Sequence, residues 1–197
     1  MQRVRPGRWS PVEGVDAALR EHIELRFLKL AGRSRRRDGQ LGVFAREPIP
    51  AGTALIYRWC EAYYLGLDGW ELLSTAEIDA LSEDRFALAR RYGLDADFGW
   101  IFAPRRQADV YTLDNFLNHS CAPNTVFDAE GFVITPANVA KGEELTVDYG
   151  AFTVNYDEPF DCACGATTCR GRVTREDWRQ LNDLPVFARR RRLLTAP

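Results

Sequence analysis

The sequence predicts a β-rich α+β domain built from short strands, because short apolar runs alternate with turn residues along most of its 197 residues. One helical stretch interrupts these strands, and no repeat or linker divides the chain. A composition that is 46% hydrophobic and 12% aromatic supplies a core and argues against disorder. We therefore expect one domain with small additions at its ends.

The first part of the chain is predicted to form a short helix and three strands. Ser10-Pro11-Val12-Glu13 combines an N-cap, a first-turn proline and a capping-box glutamate, which begin a helix toward Glu21. Alternating or continuous apolar runs then predict the strands. These are ELRFLKL (24–30), LGVFA (41–45) and, after the turn in 47–55, ALIYRW (54–59).

A helical segment at 74–93 separates these strands from the second half of the chain. Ser74 with Glu77 forms a capping pattern, apolar residues follow at helical spacing, and Gly93 is a stop signal. Further strands are predicted after it, and Thr174 with Asp177 begins a final helix toward Leu181. The later strands are FGWIFAP (98–104), VYTLDNFL (110–117) and a hairpin at 125–137 whose turn is 129–131.

The charge pattern leaves a second class of partner open. The net charge is −2, and 24 of the 26 basic residues are arginine. Arginine runs at 33–37 and 189–192 would suit nucleic acid or an acidic partner, although such runs are usually solvated loops and tails. The sequence contains no apolar run long enough for a membrane span and no secretory signal, so we expect no membrane association. We expect an intracellular, cytoplasmic protein, or a nuclear one in a eukaryotic host.

The cysteines predict a zinc site. A C-x-C-x4-C spacing provides three thiolates and leaves one vertex of a tetrahedral metal open. Cys121, within NHSCAPN (118–124), is the candidate fourth ligand. Two disulfides are the alternative, which a reducing compartment and the strain of bridging residues two apart disfavour. Cys60 would then be a buried small side chain. The three clustered cysteines are Cys162, Cys164 and Cys169.

Several motifs in order resemble the SET domain with its post-SET zinc segment. The resemblance covers about residues 24–171 and implies small curved sheets, a pseudoknot and a variable insert at 62–97. It also implies S-adenosylmethionine-dependent methylation of lysine side chains in a protein substrate. The motifs are LGVFAREPIPAGTAL (41–55), YRWCE (57–61), NHSCAPN (118–124), GEELTVDYG (142–150) and CACGATTCRG (162–171).

The resemblance also implies roles for individual residues. Asn118 would contact the methionine amine of the cofactor, and His119 would lie near its adenine. Tyr149 would be the active-site tyrosine, and Tyr111 is a second catalytic candidate. The implied cofactor contacts are Leu41, Gly42, Phe44, Asn118, His119 and Tyr149, and the implied zinc ligands are Cys121, Cys162, Cys164 and Cys169.

The chemistry of methyl transfer explains why no strong base is expected. A lysine amine must arrive neutral, and an apolar channel beside a positive sulfonium lowers its pKa from a usual value of ~10.4. Aromatic residues would line this channel, although most aromatics simply pack the core. Val147, smaller than the aromatic residue common there in the family, predicts room for more than one methyl. The aromatic candidates are Tyr111, Tyr149, Phe152, Tyr156 and Phe160.

The division of the chain and two other functions remain open at this point. The first alternative is a catalytically silent SET module that binds a protein or nucleic acid. The second is a nucleic-acid-binding domain stabilised by zinc. Loss of Tyr149 or Asn118 would favour the silent module, and both are present. The expected parts are an N-terminal helical extension (1–23), the SET domain (24–155), a post-SET zinc segment (156–173) and a helix with a basic tail (174–197).

Overall fold

The computed structural model describes seven segments of the chain, and their arrangement confirms the β-rich prediction. The predicted N-terminal helix, Cys60, Tyr111 and both arginine runs lie outside them. Within these segments, no helix is both long and apolar enough to cross a bilayer. The described residues are 22–27, 41–57, 69–110, 116–128, 132–152, 155–156 and 159–179.

The described elements are mostly short strands. In chain order they are β1 (Ile23–Phe27), β2 (Leu41–Ala45), β3 (Ala54–Tyr57), β4 (Trp70–Ser74), α1 (Thr75–Asp79), α2 (Glu83–Tyr92), β5 (Leu94–Asp97), β6 (Trp100–Pro104), β7 (Asn118–His119), β8 (Val126–Phe127), β9 (Phe132–Ile134), β10 (Glu144–Val147), β11 (Phe160–Asp161) and β12 (Arg172–Val173). Three 3-10 turns join them at Gln107–Val110, Tyr149–Ala151 and Asp177–Arg179.

The largest sheet brings distant motifs side by side. Its order is β1-β2-β10-β7, and β10 runs antiparallel to β2 but parallel to β7. In the parallel pair, Thr146 lies opposite Asn118 and Val147 opposite His119. Alternate positions on β10 are buried, which is the period of two expected of a strand that covers a core, whereas β2 is buried at three of its five positions. The sheet therefore joins the first motif, the Asn-His pair and the segment before Tyr149.

A second sheet forms the insert and corrects the expectation of a helical insert at 62–97. The helical segment predicted at 74–93 is present as two helices, and Ser74 and Glu77 form the predicted capping box. However, β4 and β5 flank the helices and pair with β6 in the order β4-β6-β5. Strand pairing with β6 decides their conformation, and a short apolar run alone does not reveal such a partner. A separate small core lies between this sheet and the helices, consisting of Ile78, Ala89, Ile101 and Ala103.

Gly93 ends α2 for a reason different from the predicted one. Its φ of −65° is not left-handed, so the turn itself does not require glycine. A Cβ at this position would lie 2.3 Å from the Ala89 carbonyl oxygen and 2.7 Å from an Ile101 side-chain carbon. The close approach of α2 to β6 therefore requires glycine here.

Two further predictions of secondary structure need correction. The strand predicted at 110–117 is wrong where the structure describes it, because Val110 closes a 3-10 turn and the strand β7 begins only at Asn118. The predicted final helix is a 3-10 turn at Asp177–Arg179 within the described residues. Its predicted start is confirmed, since Asp177 Oδ1 accepts hydrogen bonds from the Thr174 amide and hydroxyl.

Asn155 joins the insert to the chain that follows Tyr149. Its side-chain amide donates to the carbonyls of Asp97 (2.8 Å) and Trp100 (3.2 Å) and accepts from the Gly99 amide (2.6 Å). Its own backbone N–H donates to Asp95 Oδ2 at 3.1 Å. One asparagine therefore bonds several polar groups of the β5–β6 turn and fixes that turn against the segment after Tyr149.

Candidate functional site

The Asn118 side chain bridges β2 and β10. Its Nδ2 donates to the Leu41 carbonyl at 3.1 Å and to Glu144 Oε1 at 2.8 Å. A Cβ on Gly42 would lie 2.9 Å from that Glu144 oxygen and 3.1 Å from Asn118 Nδ2, so glycine makes the space for this pair. A carbonyl and a carboxylate therefore lie together beside Asn118, and both are acceptors suited to a charged amine.

His119 is buried, and both nitrogens of its ring are used inside the protein. Nδ1 accepts a hydrogen bond from the Tyr149 backbone N–H at 3.1 Å. Nε2 therefore carries the proton in the neutral ring, and it donates to Cys121 Sγ at 3.3 Å. Asp148 Oδ1 lies 3.7 Å from Nδ1. This arrangement suits a residue that orients Tyr149 and the Cys121 side chain, and it agrees with the expectation that His119 need not act as a base.

The Tyr149 hydroxyl is fixed by a hydrogen bond, and its ring packs against three other aromatic rings. Its Oη donates to the Leu117 carbonyl at 2.8 Å. The ring centroid lies 5.5 Å from His119, 5.4 Å from Phe152 and 6.0 Å from Phe160. Since the hydroxyl proton points to Leu117, the lone pairs of the oxygen can accept weak contacts from other groups.

The other predicted channel residues separate into three positions. Phe152 is buried and packs against Phe127 as well as Tyr149, so it belongs mainly to the core. Phe160 is 39% exposed and borders both Tyr149 and His119, as a channel wall would. Tyr156 packs on the insert instead, where the Arg90 guanidinium lies 3.5 Å from its ring centroid. Tyr156 therefore does not line the site around Tyr149.

Two other sequence candidates also have defined positions. Phe44 is half-buried on β2, lies opposite Glu144 in the sheet and has the Arg26 guanidinium 5.5 Å above its ring. Val147 is buried in the main core on β10. An aromatic side chain in place of Val147 would have to displace its neighbours in the core. That the small side chain of Val147 leaves room near the target lysine amine stays a prediction.

The four predicted zinc ligands converge. Their sulfur atoms all lie within 4.8 Å of one another, and the four are free thiols. Cys121 Sγ is 3.8 Å from Cys162 Sγ. A tetrahedral zinc with Zn–S bonds of ~2.3 Å needs S···S separations of about 3.8 Å. The spacing and the donor chemistry therefore fit one tetrahedral zinc ion, held by Cys121, Cys162, Cys164 and Cys169.

The thiols of this cluster influence one another's ionisation. Burial raises the pKa of Cys162 to about 12. Burial also opposes ionisation of Cys164, but hydrogen bonds from the N–H groups of Cys121 and Ala166 lower its pKa to about 6. One thiolate is therefore already favoured near neutral pH, and a metal would have to displace the remaining protons.

Three charged residues of the site were missed by the sequence reasoning. Glu144 lies beside Asn118 within a motif already recognised, so its place in GEELTVDYG was the available signal. Asp148 and Arg170 form a bidentate pair with distances of 2.6 and 2.7 Å, and hydrogen bonding to Asp148 raises the pKa of Arg170 above its usual range. Their signal in the sequence was likewise a place within a recognised motif, GEELTVDYG for Asp148 and CACGATTCRG for Arg170.

This fold and this site define the class of protein. Small sheets bring an Asn-His pair, a buried tyrosine turn and a four-cysteine cluster together, and the family model described as "SET domain" matches residues 40–150. The chain therefore belongs to the SET domain family.

Several of the matched relatives are much larger proteins. The chain is 44% identical to histone-lysine N-methyltransferase set-2 of Caenorhabditis elegans over 101 aligned residues. This alignment covers 46% of this chain and 7% of that protein. The chain is 39% identical over 80 residues to histone-lysine N-methyltransferase ATX2 of Arabidopsis thaliana, covering 36% of this chain and 7% of the relative. A Schizosaccharomyces pombe protein, "Histone-lysine N-methyltransferase, H3 lysine-4 specific", is 43% identical over 66 residues, 30% of this chain and 7% of its own length. The alignments thus span less than a tenth of each of these relatives.

Proposed function

We propose that this protein transfers methyl groups from S-adenosylmethionine to a lysine side chain of a protein substrate. The observation that carries the proposal is the parallel pairing of β7 with β10, which sets Asn118 and His119 beside the strand that leads into Tyr149. Binding groups for a cationic cofactor and a tyrosine for the amine then lie beside the same pair of parallel strands. Membership of the SET domain family supports this reaction.

The proposed cofactor site lies at the start of β2, beside Asn118. The Leu41 carbonyl and the Glu144 carboxylate, both held by Asn118, would accept hydrogen bonds from the methionine amine. Gly42 allows close approach at this point, and Phe44 lies opposite Glu144 in the sheet. When bound there, the cofactor supplies a methyl group on a positively charged sulfur. The full proposed set is Leu41, Gly42, Phe44, Asn118, His119 and Tyr149.

The proposed role of Tyr149 is to orient the reacting groups rather than to remove a proton. Its hydroxyl donates to Leu117, so its oxygen can accept contacts from the target amine and from the polarised methyl. Packing on His119 and Phe160 restricts the ring, and displacement at carbon depends strongly on alignment. The amine would lose its proton to water before transfer, because the apolar surroundings disfavour its charged form. Tyr111 stays a proposed second residue of this channel.

We also propose that 156–173 is a post-SET segment held by zinc, and that the last motif passes through a pseudoknot, as the family resemblance implies. The convergence of the four thiols on a tetrahedral spacing supports the metal. The proposed SET domain is 24–155 with its insert at 62–97, and the proposed extensions are 1–23 and 174–197.

The proposed substrate is a lysine in a histone-like, basic protein segment, because the relatives quoted above are named as histone-lysine methyltransferases. A cluster of four reduced cysteines is favoured by a reducing compartment. We therefore place the activity in the cytoplasm, or in the nucleus of a eukaryotic host.

The assay that tests this function follows methyl-labelled cofactor into protein. We expect mass spectrometry to find methyl groups on lysine in histone tail peptides or in proteins of the host, and none in peptides whose target lysine is replaced by arginine. A protein that binds the cofactor but modifies no lysine in either set would instead be the catalytically silent module.

Replacement of Asn118 by alanine is expected to weaken S-adenosylmethionine binding at least tenfold. The change removes the amide that holds both the Leu41 carbonyl and Glu144 in place. A tenfold change corresponds to about 1.4 kcal/mol, the size of one hydrogen bond to a charged group. Calorimetry would measure the dissociation constant, with Asn138→Ala as the control because Asn138 is exposed and caps the Ala51 amide elsewhere. Equal affinity for both folded variants would contradict the cofactor site.

A further inference from the structure

Arg170 lies between two buried carboxylates, next to the 3-10 turn at Tyr149–Ala151, here called the Tyr149 turn. Asp148 and Asp177 are only 8% and 2% exposed. Arg170 Nη1 and Nη2 donate to the two oxygens of Asp148 at 2.7 and 2.6 Å. Its Nε lies 2.8 Å from Asp177 Oδ2, as an ion pair whose angle does not make it a hydrogen bond. The two acids need this guanidinium, because burial would otherwise leave their charges uncompensated.

One side of this cluster holds the turn that contains Tyr149. Asp148 Oδ1 also accepts the Gly150 N–H at 2.9 Å. A Cβ on Gly150 would lie 2.7 Å from Asp177 Cβ and 3.2 Å from Arg170 Nη2, so the turn packs directly against the charged groups. Because Asp148 and Gly150 flank Tyr149, movement of the cluster would move the tyrosine backbone.

The other side of the cluster holds the cysteine segment. Arg170 follows Cys169, and its backbone N–H donates to Cys121 Sγ at 3.4 Å. Asp177 belongs to the 3-10 turn after β12 and accepts the amide and hydroxyl of Thr174. Arg170 is therefore linked to the four-cysteine cluster by its main chain and to the tyrosine turn by its side chain.

We propose that Arg170 is a positioning residue that transmits the order of the 159–179 segment to the Tyr149 turn. Its effect on turnover rests on the function proposed above, whereas its effect on the order of the turn does not. Arginine suits this place because its planar fork binds both oxygens of Asp148 while Nε faces Asp177. A lysine would keep the charge but could not reproduce this geometry.

The test compares Arg170→Met and Arg170→Lys with a matched control, Arg172→Met, in the full chain. Arg172 lies two residues further on, is 61% exposed and makes one long contact of 3.5 Å with Asp161. Hydrogen exchange would be followed in a peptide covering 147–152, where the Tyr149 and Gly150 amides are bonded to His119 and Asp148. Metal content and kcat would be measured on the same samples.

We expect Arg170→Met to speed hydrogen exchange of the 147–152 amides about tenfold or more. In the wild type, local opening of this turn must break the ion pairs of Arg170, and in the variant those pairs are missing, so opening costs less free energy. Arg170→Lys should also speed exchange of these amides, by a smaller factor. If the methionine variant does not fold, the lysine variant decides whether Arg170 positions the turn. Both should keep one metal per chain and lose at least tenfold in kcat. Arg172→Met should match the wild type in all three measurements.

Two results would overturn the inference, and they differ from failure of the proposed function. If exchange at 147–152 is the same in the Arg170 and Arg172 variants, Arg170 does not position the turn. If Arg170→Lys loses the metal and exchanges faster at 159–171 alone, the arginine merely stabilises the cysteine segment. A wild-type protein without methyltransferase activity would contradict the proposed function, while the exchange comparison would still decide the role of Arg170.

Discussion

Replacing Tyr149 by phenylalanine is expected to lower kcat at least tenfold while folding and cofactor affinity stay close to those of the wild type. The ring contacts with His119, Phe152 and Phe160 remain in the variant. Only the hydroxyl and its hydrogen bond to the Leu117 carbonyl are lost. One lost contact of about 1.4 kcal/mol in the transition state is enough for a tenfold decrease. Steady-state kinetics with labelled cofactor would measure the change.

The matched control is Tyr156→Phe, which removes the same atom from a tyrosine that packs on the insert. Its hydroxyl contacts Asp79 at 3.5 Å, and its ring lies under Arg90, away from Tyr149. We expect this variant to keep wild-type turnover. If the two variants have equal rates, Tyr149 is a packing residue and the mechanism proposed for it is wrong.

Removal of the metal is expected to have the largest effect on stability. Structural zinc contributes about 10–16 kcal/mol of apparent binding free energy in small zinc domains, and here that energy would hold the cysteine segment in place. Purified protein should contain about one zinc per chain. A strong chelator should expose residues 160–171 to protease and to thiol reagents, and should reduce activity.

The cysteine variants separate a metal site from ordinary packing. Cys164→Ser should lose the metal and the order of the segment, whereas Cys60→Ser, which changes the one cysteine outside the proposed ligand set, should keep both. Since thiols must lose protons to bind a metal, acid should favour release, and less chelator should be needed as the pH falls. A preparation without metal whose five thiols all react in the native state would contradict the zinc site.

The features that could be predicted from the sequence are those that depend on residues close together in the chain or on a fixed sequence pattern. The spacing of Cys162, Cys164 and Cys169 indicates three thiolates for one metal, and the open fourth vertex makes Cys121 the candidate remaining ligand. The capping pair Ser74 and Glu77 is likewise local, and the structure confirms it. In each case the residues that act together lie within a few positions or match a fixed pattern.

The predictions that were wrong concern elements whose partners lie elsewhere in the chain. Strands β4 and β5 were expected to belong to a helical insert, but pairing with β6 makes them strands. The strand expected at 110–117 has good β-forming residues, yet Val110 ends a 3-10 turn. Short apolar runs fit several conformations, and tertiary contacts select among them.

By itself, the sequence determined the family and the β-rich class, and it identified four cysteines as candidate metal ligands and Asn118, His119 and Tyr149 as site candidates. Only the tertiary structure decided which acidic and polar groups support them. Glu144 meets Asn118, and Arg170 meets Asp148, because separate segments pack together there. Hydrogen bonds and ion pairs depend on distances of a few ångströms. Residues far apart in the chain acquire such distances only when the strands and turns between them have folded.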